Sequence, residues 1–97
     1  MGLAAGYDKN CKHITATEKL GFSYLVCGTI INNPRYGNPK PRISRLPKDN
    51  ALINSLGFPS EGLNQIIHNL NKSKNHNNPI ILSISGLNIN KIKKVLL

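Results

Sequence analysis

Three stretches of the chain carry side chains that could do chemistry, and each follows a short apolar run. In the first, Gly2-Leu3-Ala4-Ala5-Gly6-Tyr7-Asp8-Lys9-Asn10, small and apolar residues give way abruptly to a polar turn. Small side chains there let a flat ligand lie directly against backbone, with the Lys9 ammonium at the mouth. Thr29 follows the second run, and Ser83 to Gly86 close the third. In parallel α/β proteins ligands collect beyond the carboxyl ends of the strands, so the three tips are expected to face one ligand. A lysine at such a mouth can pair with a carboxylate or stabilise negative charge developing on a cofactor ring. Taken singly, it would be an ordinary solvated loop lysine.

Other constellations are weak. His13, His68 and His76 lack the spacing of a chelating set, so no metal site is expected. Asp8, Glu18, Asp49 and Glu61 are scattered, which argues against a paired-carboxylate hydrolase. No P-loop or dinucleotide fingerprint is present. Cys11 and Cys27 form no CxxC pair; one disulfide stays open, but two reduced thiols in an intracellular chain are the expectation. Cys27 lies in an apolar run and reads as a small buried hydrophobe.

The 97 residues can make at most one small domain with a modest core. A formal charge of +9, from 13 basic and 4 acidic side chains, attracts anions of any kind. A solvated basic face is the plain reading of that charge. The few aromatics do not interleave with the cations as base-stacking platforms would. No run approaches the roughly 18 apolar residues of a membrane span, and no signal peptide is expected.

The elements that must hold these tips follow from pattern. Residues 2–5 are a candidate first strand. Asp8 or Asn10 is expected to cap a helix reaching Leu20, with Gly21 as its stop. Residues 22–28 are almost continuously apolar, as in a parallel strand buried on both faces. Strand, helix and strand then form a right-handed βαβ unit. Residues 29–50 hold Pro34, Pro39, Pro41 and Pro47 and five cations before Asp49. The alternation of residues 42–46 predicts one strand of a small hairpin, and a loop of this length is more often functional than idle. Residues 51–56 are expected as a short helical turn ending at Gly57. Ser60 is expected to cap the clearest helix, whose Leu63, Ile66, Ile67 and Leu70 form one stripe. Residues 71–78 read as a surface loop and residues 79–86 as the third strand and its turn. Asn88 or Asn90 caps a last helix.

Five pieces in register carry a resemblance: Gly2 to Asn10, Gly28-Thr29, Gly37-Asn38-Pro39-Lys40-Pro41-Arg42, Arg45-Leu46-Pro47 and Asn54-Ser55-Leu56-Gly57-Phe58. Their order and spacing resemble the quinone-linked class 2 dihydroorotate dehydrogenases over essentially the whole chain, thinning after Phe58. The resemblance implies an FMN-containing (β/α)8 TIM barrel that oxidises dihydroorotate to orotate in pyrimidine (UMP) biosynthesis and passes electrons to quinone. Residues 1–97 would be its amino-terminal portion, about the first three βα units, with a small hairpin inserted after the second strand. Ala5, Gly6, Tyr7, Asp8 and Lys9 would form the first flavin segment, Lys9 also reaching the substrate carboxylate. Thr29 and Ser83 would contact FMN from the second and third strands. Asn54 would bond the substrate ring, and Ser55, Leu56, Gly57 and Phe58 would enclose it.

Ser83 stands where the family usually has Asn, and Ser85-Gly86 replace a Gly-Lys. The family's catalytic serine base lies in later strands, so no catalytic base is assigned here, and the fragment is expected to be inactive alone. The complete enzyme would associate peripherally with the cytoplasmic membrane, whereas this chain, without an anchor, would be cytoplasmic. The competing readings are a small basic nucleic-acid-binding module and a non-catalytic interaction fragment. The expectation is no nucleic-acid partner.

Overall fold

The apolar runs pair in parallel. The computed structural model describes residues 1–73 and 76–96. In chain order the elements are α1 (Ile14–Glu18), β1 (Leu25–Ile30), β2 (Ile43–Leu46), β3 (Ala51–Asn54), α2 (Leu63–Lys72), β4 (Ile80–Ile84) and α3 (Ile89–Leu96). β1 lies parallel to β4, with Leu25 opposite Ile80 and Gly28 opposite Ser83. On the other side of β1, Leu3 makes a single parallel bridge to Leu25. The expected first strand therefore contracts to one bridge. Its hydrogen bonds are those of a strand, with Leu3 N–H donating to the Tyr24 carbonyl at 3.0 Å and Val26 N–H to that of Leu3 at 2.8 Å. Glycines and alanines on both sides of Leu3 give it little area to pack, and the chain turns away at Ala5.

The second strand runs from Leu25 rather than residue 22, and the third spans β4 within the expected range. The first helix is shorter than expected. Asp8 does act as a cap, but its carboxylate takes the amides of Lys12 and His13, each at 2.9 Å, in a loop that precedes the helix. Cys11 sits at φ 57°, which breaks any helical path through residues 8–13.

The hairpin departs most from expectation. β2 is there as predicted, but residues 51–54 form its antiparallel partner β3 instead of a helical turn, with Ser44 opposite Ile53 and Leu46 opposite Ala51. The reversal comes from a 3-10 turn over Pro47–Asp49 and a left-handed Asn50 at φ 49°. Once the chain has been turned back there, residues 51–54 meet the open edge of β2 and pair with it.

The long helix α2 begins after Gly62, not at a Ser60 cap; the Ser60 hydroxyl accepts the Gly62 N–H at 3.1 Å in the preceding turn. Its buried side is rotated from the expected stripe: Ile66 and Asn69 are buried and Ile67 is exposed. The helix continues to Lys72, so it takes the start of the expected surface loop, and residues 74 and 75 of that loop lie outside the described residues. In α3 the cap is Asn88, whose side-chain oxygen accepts the Lys91 N–H at 2.9 Å.

Cys11, Ile14, Leu25, Cys27, Ile30 and Ile66 form the core, with Leu3, Phe22, Leu63, Leu70 and Ile80 packed on its margin. Burying one isoleucine side chain contributes about 1.5–3 kcal/mol, so this small set is the main apolar support of the sheet. Gly28 is the tightest backbone approach in it. Its φ is +119°, and a Cβ there would lie 2.5 Å from the Ser83 carbonyl oxygen.

Two outcomes follow from this packing. Gly28→Ala lowers stability by roughly 1–3 kcal/mol through overpacking and backbone strain, read as a shift in the urea midpoint; an unchanged midpoint would contradict the close β1–β4 approach. Ile81, Leu82 and Ile84 of β4 and Leu87, Ile89 and Leu96 around α3 are exposed. An apolar surface of this kind drives association, so sedimentation velocity on the isolated chain should show concentration-dependent oligomers. A single monomeric boundary across a tenfold concentration range would refute it.

Candidate functional site

At the carboxyl end of β1 lies an open cleft of about 300 Å³. One wall is the turn after Leu3, where Ala5, Gly6 and Lys9 line the space. Gly28 and Thr29 of β1 form its floor, and Asn54, Ser55, Leu56, Gly57, Phe58 and Pro59 form the opposite wall. Lys9, Thr29 and Asn54 thus face one space, an ammonium, a hydroxyl and an amide that together can hold a flat polar anion. Gly28 in the floor and Ala5 and Gly6 in the first wall carry little or no side chain, so a planar ring can approach backbone there.

The first wall is tied to the sheet by the Gly6 N–H on the Gly28 carbonyl at 3.2 Å. The Lys9 ammonium folds back onto the Gly6 carbonyl and is therefore held over the cleft mouth. The Thr29 and Ser83 hydroxyls are bonded at 3.0 Å. Asn54 Oδ1 accepts the Leu56 N–H at 3.3 Å, which turns its Nδ2 donor free of that bond.

Three residues of the expected site stand off the cleft. Tyr7 is exposed and flanks a separate groove with His13, Ala16, Thr17 and Leu20. Asp8 is buried, and its carboxylate is consumed by the loop amides described above. Ser83 reaches the cleft only through Thr29.

The opposite wall rests on residues to which sequence reasoning assigned no site role: Arg35 counted only as one of five cations, and Asn38 and Arg42 stood within one of the family-like pieces. Arg35 Nε donates to the Gly57 carbonyl at 2.7 Å and its terminal nitrogen to Asn38 Oδ1 at 3.1 Å. Asn38 Nδ2 donates to the Ser55 carbonyl at 2.9 Å. Arg42 donates to the carbonyls of Tyr36 at 2.6 Å and Asn38 at 3.2 Å. Arg35 and Ser60 also exchange backbone hydrogen bonds, both 2.8 Å. Buried or half-buried carbonyls need donors, and guanidinium groups supply several in a fixed plane. The signal available in the sequence was the asparagine and arginine spacing around Pro34, Pro39 and Pro41. Among the described residues, no three His, Cys, Asp or Glu side chains gather as metal ligands, and no helix is long and apolar enough to cross a membrane.

Parallel strands with polar side chains near their carboxyl tips define an α/β protein with a cleft at its strand ends. The family model described as dihydroorotate dehydrogenase matches residues 1–96, and the chain belongs to the dihydroorotate dehydrogenase family. Curated relatives named dihydroorotate dehydrogenase (quinone) include those of Bordetella pertussis, 50% identical over 91 residues, and Paracidovorax citrulli, 47% identical over 92. These alignments cover 94% of this chain but only 25% and 26% of the two relatives, so the chain spans about a quarter of their length. Among solved structures, ligand-free DHODH from Eimeria tenella superposes with TM-score 0.85 at 36% identity, covering 98% of this chain and 30% of that one. The same organism's DHODH in complex with ferulenol gives TM-score 0.70 at 41% identity, covering 86% and 24%.

In the core, Cys11 and Cys27 are both free and buried. A hydrogen bond to Cys27, reinforced by burial, pushes the Cys11 thiol well above its ordinary value, and the same bond pulls Cys27 down. For Cys11 the raised value means that this thiol's own contribution to stability is fully present below the ordinary value of 9.0 and declines as pH rises beyond it, because the Cys11 thiol ionises there only in the unfolded chain. Native protein at pH 8 should leave both thiols unmodified by iodoacetamide for as long as it stays folded, and urea should release them. Rapid native labelling, read by mass spectrometry, would contradict the packing.

Proposed function

We propose that residues 1–97 are the amino-terminal portion, about the first three βα units, of a (β/α)8 barrel that oxidises dihydroorotate to orotate with FMN and delivers electrons to quinone. One observation carries this reading: Lys9, Thr29 and Asn54, on three separate segments, line one cleft that Ala5, Gly6 and Gly28 also line. These small residues fit a planar cofactor, since they leave backbone accessible. FMN, when bound, supplies the hydride acceptor.

The chain's own residues then have distinct tasks. Ala5 and Gly6 give the ring a flat wall. Thr29 offers a hydroxyl to it, and Ser83 orients that hydroxyl from behind. Lys9 holds positive charge where negative charge develops on oxidation of the substrate, and a fixed cation needs no reorganisation at that moment. The same ammonium is suited to the substrate carboxylate. Asn54 presents its Nδ2 to the substrate ring. Ser55 to Phe58 close the far side and keep out water, with their backbone held by Arg35 and Asn38. Tyr7 and Asp8 contribute by shaping the turn that carries Lys9. Peripheral association of the complete protein with the cytoplasmic membrane belongs to the same reading.

The test is a chimera in which this chain replaces the matching quarter of the Bordetella pertussis relative. It should bind FMN and reduce quinone on addition of dihydroorotate. Lys9→Ala in that chimera should cost about 100-fold or more in turnover, the scale of losing one preorganised charge-stabilising group, with flavin content retained. Absence of turnover in a folded, flavin-loaded chimera, or full turnover in the Lys9→Ala variant, would defeat the assignment.

A further inference from the structure

Lys9 is flanked by two residues whose side chains do not line the cleft, yet both are anchored more than once. Asp8 holds the Lys12 and His13 amides on its carboxylate and the Gly28 N–H on its carbonyl, the last at 3.2 Å. Asn10 Oδ1 accepts the Glu61 N–H at 3.0 Å, and its carbonyl accepts Asn69 Nδ2 at 2.8 Å. Asn69 is 8% exposed on α2, and its own oxygen takes Gln65 Nε2 at 3.1 Å. Lys12 also pairs with Glu61. Glu61 lies two residues beyond Pro59, so the bond from its amide to Asn10 joins the two walls of the cleft across 51 residues of sequence.

We propose that Asn10 and Asn69 are positioning residues, a clamp that fixes the Lys9 turn and sets the separation between Lys9 and the Asn54 wall. The clamp itself is independent of the reaction; its effect on dihydroorotate and orotate rests on the oxidoreductase reading above. The physical basis is the cost of an unmade bond. Asn69 sits one turn from buried Ile66, and without its donor the half-buried Asn10 carbonyl loses its partner. The exposed Lys12–Glu61 pair contributes little by comparison. With the turn released, the ammonium samples positions away from the ligand, and binding weakens although no contacting residue has changed.

Asn69→Asp removes the donor at constant shape, and Asn69→Leu removes it without adding a buried charge, so one of the two serves if the other fails to fold. In the chimera, either should speed amide hydrogen exchange in residues 6–13 about tenfold and leave the amides of Leu25 and Val26, bonded to Pro79 and Leu3, unchanged. Orotate affinity, followed by titration of the flavin absorbance, should fall about tenfold. In a Lys9→Ala background the same substitution should change affinity less than twofold, because its effect passes through Lys9. Equal losses in both backgrounds would reduce Asn69 to general structural support and overturn the proposal. Unaltered exchange in residues 6–13 would show that there is no clamp. A folded, flavin-loaded chimera with the unaltered segment that never turns over counts against the oxidoreductase reading alone, since the exchange experiment judges the clamp without it.

Discussion

The parallel alignment on β1 is the constraint from which the rest follows. β1 takes backbone bonds from Leu3 on one edge and from β4 on the other. Parallel strands put all their carboxyl ends on one side, and residues that follow them in sequence are forced to share a surface. Lys9, Thr29 and Ser83 are far apart along the chain but close to those ends. The sheet is also why Gly28 has no side chain: the Ser83 carbonyl occupies the space a Cβ would need.

The second wall of the cleft is not part of this sheet. It hangs from the β2–β3 hairpin and is secured by side-chain donors, chiefly Arg35, Asn38 and Arg42, satisfying backbone carbonyls in a segment rich in proline. Proline removes backbone donors, so a segment of this composition must draw on guanidinium and amide groups for its hydrogen bonds. Part of the chain's large positive charge is thereby spent internally. A basic composition therefore overstates the charge that is free to meet an anionic partner.

Polar groups beneath the surface complete the arrangement. Asp8, Asn10 and Asn69 lie outside the cleft lining, yet their bonds hold the turn that carries Lys9. Each is bonded, as buried polar groups must be. The core beneath is small, and the exposed apolar residues of β4 and α3 fit a chain that spans about a quarter of the length of its relatives.

β1, β4, the α2 helix and the strand-tip location of Lys9 and Thr29 were legible because they depend on local runs of apolar residues and on the rule that parallel strands end together. The hairpin's first strand was legible from its alternation. Its second was not, since residues 51–54 are strand only because the 3-10 turn and Asn50 send them back along β2. The early helix failed for a similar reason: Asp8 had the right side chain for a cap, but Cys11 in the left-handed region diverted the backbone. What composition and pattern determined here was which segments are apolar enough to be buried and in what order they come. Which polar side chains meet one another, as Asn69 meets Asn10 across 59 positions, was decided by packing alone, because hydrogen bonds between distant residues leave no periodic trace in sequence.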